Sequence, residues 1–565
     1  MQTLFRNALG AAVRASGITL LAFPALAQDA TATLTQDQCS AATLASGIDP
    51  DLIGEPVSGV RLTDFIWVEA SEPNPAYCRV EGAMAPIDPD APDILFAVAL
   101  PEAWSGRAAQ IGGGGDNGVI PDIDQNAPRL RGTILERGWV AYGSDSGHGK
   151  DDPNWALNDE AVANFGFMQM KKTHDAAWEI IQRAYGAEPE YSYYLGNSQG
   201  GREGLTVAQR YPDDYDGVMA QVPVINFSTL QLSSALRQIH EKPEANWLPP
   251  AKVEVVRAEI MRQCDDMDGL TDGVIMNYMA CRANFDPSVG ENSDPWAPIR
   301  CPDGVDPAPE DTSADACVTD GQISTLVMAY TPYEFATPLA NGTTSFGMWV
   351  PSVDVVGPPQ APHVSSERYQ GQEGAPADAT VSSWAASAKI LSYYFGDLSA
   401  NPLDYVEGGD MDARRLEISQ MLDSTDPDLS AFAEKGGKLL SISATADTRA
   451  SSGSQLDYYQ TVIDEMGREA VDEFARLWIV PQGNHGQSGT SVPLDPEAEV
   501  FDLPNMMPRL DALVAWVEEG RAPPMAPTVT NETGRSVPLC SYPSYPHYDG
   551  SGPTDQASSY SCRTN

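Results

Sequence analysis

Residues 191–205 read YSYYLGNSQGGREGL, a β-prone aromatic run that breaks at Gly196-Asn197-Ser198-Gln199-Gly200-Gly201 and continues into a helix-compatible stretch. A Gly-x-Ser-x-Gly turn constrains the fold strongly because it requires a strand before it and a helix after it. Small flanking residues let the serine take a strained backbone conformation that points its hydroxyl out of the sheet end. The helix start brings open amides beside that hydroxyl, where an oxyanion would form. In a chain with 48 glycines the pattern alone is weak. The strand-like run in front of Gly196 and the second glycine behind Gly200 supply the context it needs.

The wider chain has the alternation that such a turn demands. Between about 30 and 225, apolar runs (ILFAVAL at 94–100, WVAYGSD at 139–145, YSYYLG at 191–196) alternate with helix-like segments such as 167–185. That pattern predicts an α/β domain with a mostly parallel sheet. From about 226 to 430 the character shifts to loops rich in Pro, Gly, Asp and Ser, with four of the cysteines and few clear strands, and reads as an insertion. Strand signals return in KLLSISA (438–444) and ARLWIVPQ (475–482), followed by an amphipathic stretch at 504–519. The expected organisation is therefore a core in two parts, 28–225 and 431–565, with a lid-like insertion at 226–430 between them.

The 565 residues suffice for a large core plus such an insertion. Residues 1–27 carry Arg6 and Arg14, a short apolar run and Ala25-Leu26-Ala27, the pattern of a cleaved signal peptide. The expected location is secreted or periplasmic, with a mature start near Gln28. The apolar run is too short to span a bilayer. Eight cysteines without a Cys-x-x-Cys, in an exported chain, point to disulfides. In order they are Cys39, Cys78, Cys264, Cys281, Cys301, Cys317, Cys540 and Cys562; sequential pairing would close four short loops, but on the order of a hundred pairings exist. A net charge of −45 argues against nucleic acid or an anionic membrane as partner. It leaves oligomeric state open.

A serine hydroxyl needs an imidazole to take its proton, and the imidazole needs a carboxylate to fix its tautomer. In α/β-hydrolases these partners follow the serine in the order acid, then histidine. Of six histidines, His148 and His174 precede Ser198, while His240 and His363 fall in the insertion. His485, in Gly-Asn-His-Gly directly after ARLWIVPQ, is favoured over His547, which lies between Cys540 and Cys562. Asp447 follows KLLSISA through Thr445-Ala446, at a strand's carboxyl end. Its competitor, Asp457, lies in the helix-like SQLDYYQTVIDEM. For the oxyanion, the amide of Gln199 is one expected donor, and the glycine run 112–115 offers a second at Gly113 or Gly114. A plain flexible turn is the alternative for that run. In CDDMDGLTDGVI (264–275), Asp265, Asp268 and Asp272 alternate with Gly269 and Gly273, so that hard oxygens can converge on one cation such as calcium. An Asp-Gly surface loop is the alternative there.

These motifs together resemble the tannase and feruloyl esterase family, which includes hydrolases of mono(2-hydroxyethyl) terephthalate. The resemblance is carried by Gly112–Gly115, Ser144-Asp-Ser-Gly-His148, Gly196 to Gly204, Gln209-Arg-Tyr-Pro212, Tyr215-Asp-Gly217 and Cys264-Asp265. It implies an α/β-hydrolase core with a lid inserted after the serine turn, and a triad at Ser198, Asp447 and His485. It also implies sequential cysteine pairing and a structural calcium held by Asp265, Asp268 and Asp272 with backbone oxygens of Leu270 and Val274. No organic cofactor is expected, and the implied substrates are esters of small aromatic acids. Trp349, Trp384, Tyr393, Tyr394 and Phe395 are possible aromatic walls in the lid, although aromatic residues at such spacing are more often core; Arg368 and Lys389 are its visible cations. One departure stands out. Most of the family joins a cysteine before the serine to one after the histidine; here those positions are Asn197 and Gly486.

Overall fold

The structure, a computed structural model, describes residues 32–124, 133–151, 153–290, 292–353, 368–380 and 385–565. The expected signal peptide, His363 and Trp384 lie outside them. Ten strands form the main sheet: β1 (Gly47–Ile48), β2 (Gly59–Val68), β3 (Tyr77–Ala85), β4 (Ile94–Pro101), β5 (Arg107–Ile111), β6 (Val140–Ser144), β7 (Tyr191–Asn197), β8 (Gly217–Gln221), β9 (Lys438–Ala444) and β10 (Ala475–Val480). Their spatial order is β10-β9-β8-β7-β5-β6-β4-β3-β2-β1. The six strands from β10 to β6 run parallel, and β4 to β1 continue the sheet antiparallel. This is an α/β architecture of the α/β-hydrolase type.

Side-chain alternation sorts the two faces of the sheet. Tyr193, Leu195, Met219, Leu440 and Ile442 share one core cluster with Leu510, Leu513 and Trp516 of α5 (Arg509–Glu519). Their strand neighbours Tyr194, Val218, Ala220 and Leu439 pack on the other face. That face is covered by α2 (Gln199–Arg210), through Leu205 and Val207, and by α4 (Ser452–Met466), through Leu456 and Val462. Fully burying side chains of this size stabilises by roughly 1.5–3 kcal/mol each. The parallel runs are correspondingly apolar on both faces.

Register decides where the reactive groups emerge. Gln221 at the end of β8 is level with Asn197 of β7 and Ile442 of β9. Ala444 of β9 is level with Val480 of β10. Ser198, Asp447 and His485 therefore all leave the sheet at one edge, the carboxyl ends of parallel strands.

Between β8 and β9 the chain leaves the sheet. The sequence predicts mostly loops here, yet the segment is built on helices: α3 (Phe227–His240), Val253–Cys264, Tyr278–Phe285, Asp320–Tyr330 and Asp412–Leu422. Val256, Ile260 and Leu326 belong to a cluster within the segment, while Phe227, Leu230, Trp349 and Ile390 pack with Trp155, Ala161 and Phe165, which precede the serine turn in the chain. Pairing of the cysteines is sequential: Cys39–Cys78, Cys264–Cys281, Cys301–Cys317 and Cys540–Cys562. Closing loops of 16 to 39 residues is worth about 3–4 kcal/mol each of chain entropy in the unfolded state.

Candidate active site

Ser198 sits at φ 63°, ψ −119°, between the end of β7 and the first residue of α2. A left-handed φ is strained for serine, and the glycines around it explain how the chain tolerates the turn. A Cβ on Gly196 would lie 1.9 Å from the carbonyl oxygen of Gly200, and one on Gly200 would lie 2.7 Å from that of Gly113. Only bare backbone fits this crossing. Gln199 opens α2, so its amide has no intrahelical acceptor and faces the region beside the hydroxyl.

The hydroxyl of Ser198 and Nε2 of His485 are 2.9 Å apart. On the other side of the ring, Nδ1 lies 3.0 and 2.9 Å from the two carboxylate oxygens of Asp447. Asp447 is fully buried and also accepts from the amides of Arg449 (2.8 Å) and Ala450 (3.0 Å). With Nδ1–H donated to the carboxylate, Nε2 is left as the acceptor facing Ser198. Asp457 instead pairs with Arg282 at 2.5 Å, and His547 packs edge-on against Tyr545, so neither competitor reaches the serine.

At Asn197 and Gly486, where no disulfide is possible, the two turns are joined by polar side chains. The carbonyl of Gln221 accepts from the amide of Ser198 at 2.8 Å. The side-chain oxygen of the same glutamine accepts from Arg509 at 2.8 Å, and Arg509 donates as well to the side-chain oxygen of Gln487. Gln487 is buried two residues after His485. Its amide donates to the carbonyl of Asn484 at 2.6 Å, and its own carbonyl accepts from Asn505 at 2.5 Å. Asn484 in turn caps Gly486 at 2.7 Å.

The glycine run follows β5 and lies against α2. Here one expectation is corrected: the amide of Gly113 is donated to Glu203 at 2.9 Å and is not open to a substrate oxygen. The amide of Gly114 has no partner among the described residues. Gly115, which the sequence does not single out, lines the cavity next to Ser198. His148 holds the far end of this loop through a 2.8 Å bond between Nε2 and the carbonyl of Asp116, stacked on Trp155 at 3.7 Å. Burial pushes its pKa down to about 4, which keeps the ring neutral, and pushes nearby Asp145 up to about 7.

The cavity at Ser198 has a volume of about 430 Å³. Beside Ser198 and His485, its walls include Val224, Phe227 and Leu230, with Lys389 and Arg449 as cations. Lys389 is paired with Asp116 at 2.5 Å. Arg449, on the turn after Asp447, is exposed. Of the candidate aromatic walls, those among the described residues are core, the alternative the sequence left open. Trp349 packs on Phe346, Tyr394 packs on Trp155 and Phe227, and Tyr393 and Phe395 lean on the same cluster. Arg368 lies over Trp247, away from the cavity.

In the Asp-Gly loop, Asp265 and Asp268 are buried. Asp265 accepts from Gly273 at 2.9 Å and Asp268 from Met276 at 2.9 Å, while Asp272 caps Val274 at 3.2 Å. Burial, reinforced by mutual repulsion, raises Asp268 to about 8 and Asp272 to about 6. The three carboxylates repel one another, and Arg535 offsets part of that repulsion at Asp272; hard oxygens of this kind are the ligands calcium takes. Two tighter clusters of ligand-type side chains occur among the described residues, with ligand atoms within 4.8 Å of one another. Cys301, Asp306 and Cys317 form one, but its thiols are joined and Lys252 pairs with Asp306 at 2.7 Å. His174, Asp175 and Asp214 form the other, and Lys171 already bridges its two carboxylates.

Sheet order, a positive-φ serine after a central parallel strand and the adjoining histidine and aspartate define an α/β-hydrolase. The chain belongs to the tannase and feruloyl esterase family, whose model matches residues 78–563. It is 33% identical over 549 residues to an uncharacterized esterase of Agrobacterium fabrum, covering 93% of this chain and 92% of that protein. Mono(2-hydroxyethyl) terephthalate hydrolase of Piscinibacter sakaiensis is 27% identical over 544 residues, at 86% and 85% coverage. Among solved structures, feruloyl esterase B from Aspergillus oryzae shares the fold with a TM-score of 0.68 at 23% identity, over 90% of this chain and 98% of that one. The protein is a carboxylic-ester hydrolase.

Proposed function

We propose that the protein is an exported serine esterase that hydrolyses esters of small aromatic acids through an acyl-enzyme. The observation that carries this reading is the hydrogen-bonded chain from Ser198 through His485 to Asp447, opening on a cavity walled by Phe227, Leu230 and Val224. His485 takes the proton of Ser198 as its oxygen attacks the ester carbonyl. The resulting oxyanion is met by the amide of Gln199 and an open amide of the glycine loop. His485, now protonated and held by Asp447, gives its proton to the leaving alcohol. Water then enters, is deprotonated by the same ring and releases the acid.

A panel of methyl ferulate, methyl gallate and the terephthalate monoester, run against the matching anilides, tests the reading. Ester cleavage should exceed anilide cleavage by orders of magnitude, and faster anilide cleavage would make the protein a peptidase on this fold. Transfer to an added alcohol in preference to water would make it an acyltransferase, and no turnover at all a binding protein. A preference for the terephthalate monoester within this class is supported by Arg449 at the cavity, which complements a substrate carboxylate; Lys389 is already paired with Asp116, which lines the same cavity.

Export is supported by the pattern of residues 1–27 and by four disulfides, which persist in oxidising compartments. N-terminal sequencing of the mature chain should start near Gln28. No described helix is long and apolar enough to cross a membrane. We also propose that Asp265, Asp268 and Asp272, with the carbonyls of Leu270 and Val274, hold a structural calcium. Because an ion bound only by the folded state stabilises it, chelation should lower the melting temperature by several degrees and added calcium restore it. Unchanged metal content and melting temperature after chelation would reduce the segment to an acidic loop.

A further inference from the structure

Glu203 lies in the first turns of α2, five residues after Ser198, and is completely buried. A carboxylate in that position is costly unless its lone pairs are used. All of them find donors. One oxygen accepts from the amide of Gly113 at 2.9 Å and the hydroxyl of Tyr194 at 2.8 Å. The other accepts from the side-chain amides of Asn117 at 2.6 Å and Gln169 at 3.4 Å. Two of these donors, Gly113 and Asn117, belong to the glycine loop; Tyr194 is in β7, and Gln169 opens α1 (Gln169–Tyr185).

The same helix grips the loop a second time, because the amide of Gly200 donates to the carbonyl of Gly113 at 3.0 Å. Gly113 is thus held by both its N–H and its C=O to the helix that carries the nucleophile. Asn117, at φ 51°, closes the turn by donating its backbone amide to the carbonyl of Gly114 at 2.9 Å. The open amides of Gly114 and Gly115 lie between these two anchors. Where they stand relative to Ser198 is held by the Gly200–Gly113 backbone bond, by His148 at the carbonyl of Asp116, and by Glu203, whose side chain reaches both Gly113 and Asn117.

We infer that Glu203 is a positioning residue for the oxyanion site: it fixes the glycine loop to the nucleophile's own helix, so that both oxyanion donors move as one body with Ser198. This rests on reading Ser198 as the nucleophile. Oxyanion donors must be placed to within a few tenths of an ångström to act on the transition state, and they matter little to the binding of a neutral ester. Loosening the loop should therefore lower kcat and spare KM.

The test uses the full mature enzyme and two variants. Glu203→Asp keeps the charge but shortens the side chain by one methylene, so it cannot serve the loop and Tyr194 together. It should lower kcat on methyl ferulate by about 30-fold or more, short of the ~10²–10³-fold for losing a donor outright, with KM within about threefold. Labelling of Ser198 by a fluorophosphonate should slow by the same factor, because phosphonylation places an oxygen in the same site. Glu203→Gln keeps the length, and the unpartnered side-chain oxygen of Asn117 can turn to receive its new NH₂, so this variant should retain more activity than Glu203→Asp. Unchanged kcat and labelling in a folded Glu203→Asp, or a loss confined to KM, would overturn the inference. Should Glu203→Asp not fold, Glu203→Gln is read alone: slowed kcat and labelling with KM held supports the inference, and wild-type kcat and labelling overturn it. If the wild-type serine is not labelled at all, the nucleophile reading itself falls and this inference with it.

Discussion

Ser198→Ala is expected to reduce kcat/KM on a good aromatic ester on the order of 10⁵- to 10⁶-fold, leaving only what the oxyanion donors and binding contribute. The expectation is large because, among the described residues, the hydroxyl is the group placed to form the acyl-enzyme; His485 and Asp447 serve it through bonds of 2.9–3.0 Å. The strained φ of 63° belongs to the backbone crossing at Gly196 and Gly200, not to the hydroxyl. The variant should therefore melt within about a degree of wild type. Initial rates with a chromogenic ester, together with a thermal melt of the same sample, check both parts. Residual activity above one per cent of wild type, on carefully separated enzyme, would show that another nucleophile operates.

Asp447→Asn should cost about 10⁴-fold in kcat, again with little change in KM. The carboxylate accepts three bonds: from the amides of Arg449 and Ala450 and from Nδ1 of His485. An asparagine has one oxygen and one NH₂, and the backbone amides can only donate. The oxygen must stay with them, and the NH₂ then faces the ring. His485 is driven to the other tautomer, with a proton on Nε2, and can no longer accept from Ser198. A pH–rate series on the pure variant reads this out, and a loss below tenfold would mean that Asp447 does not hold the ring. Asp457 offers no substitute, since Arg282 occupies it.

What could be read from the sequence follows from how local each constraint is. The turn at Ser198 was legible because sterics at Gly196 and Gly200 are written into neighbouring residues, and Asp447 and His485 because each follows an apolar strand by a few positions. Sequential pairing of the cysteines, which spacing left as one of on the order of a hundred possibilities, followed from the family resemblance. The insertion was misjudged as loops. Its helices, such as Val253–Cys264, are held by packing in clusters of their own, which overrides a composition rich in Pro, Gly and Asp. The cavity walls were missed for the same cause. Phe227 and Leu230 look like any apolar pair on a helix, and only the docking of α3 over the sheet edge turns them toward Ser198, while Trp349 and Tyr394 are taken up by packing on Phe346 and Trp155. Gly113 was indistinguishable from Gly114 until the position of Glu203 showed which amide was already taken.

The link from Gln221 through Arg509 to Gln487 has a consequence for the conditions under which the enzyme works. The nucleophile's turn and the histidine's turn are joined without sulfur, and the eight cysteines close loops elsewhere in the chain. Thiol reductants can then open bridges that support the folded state while leaving the spacing between Ser198 and His485 untouched. Heat tolerance is the first property such treatment erodes, and turnover by the molecules still folded is the last.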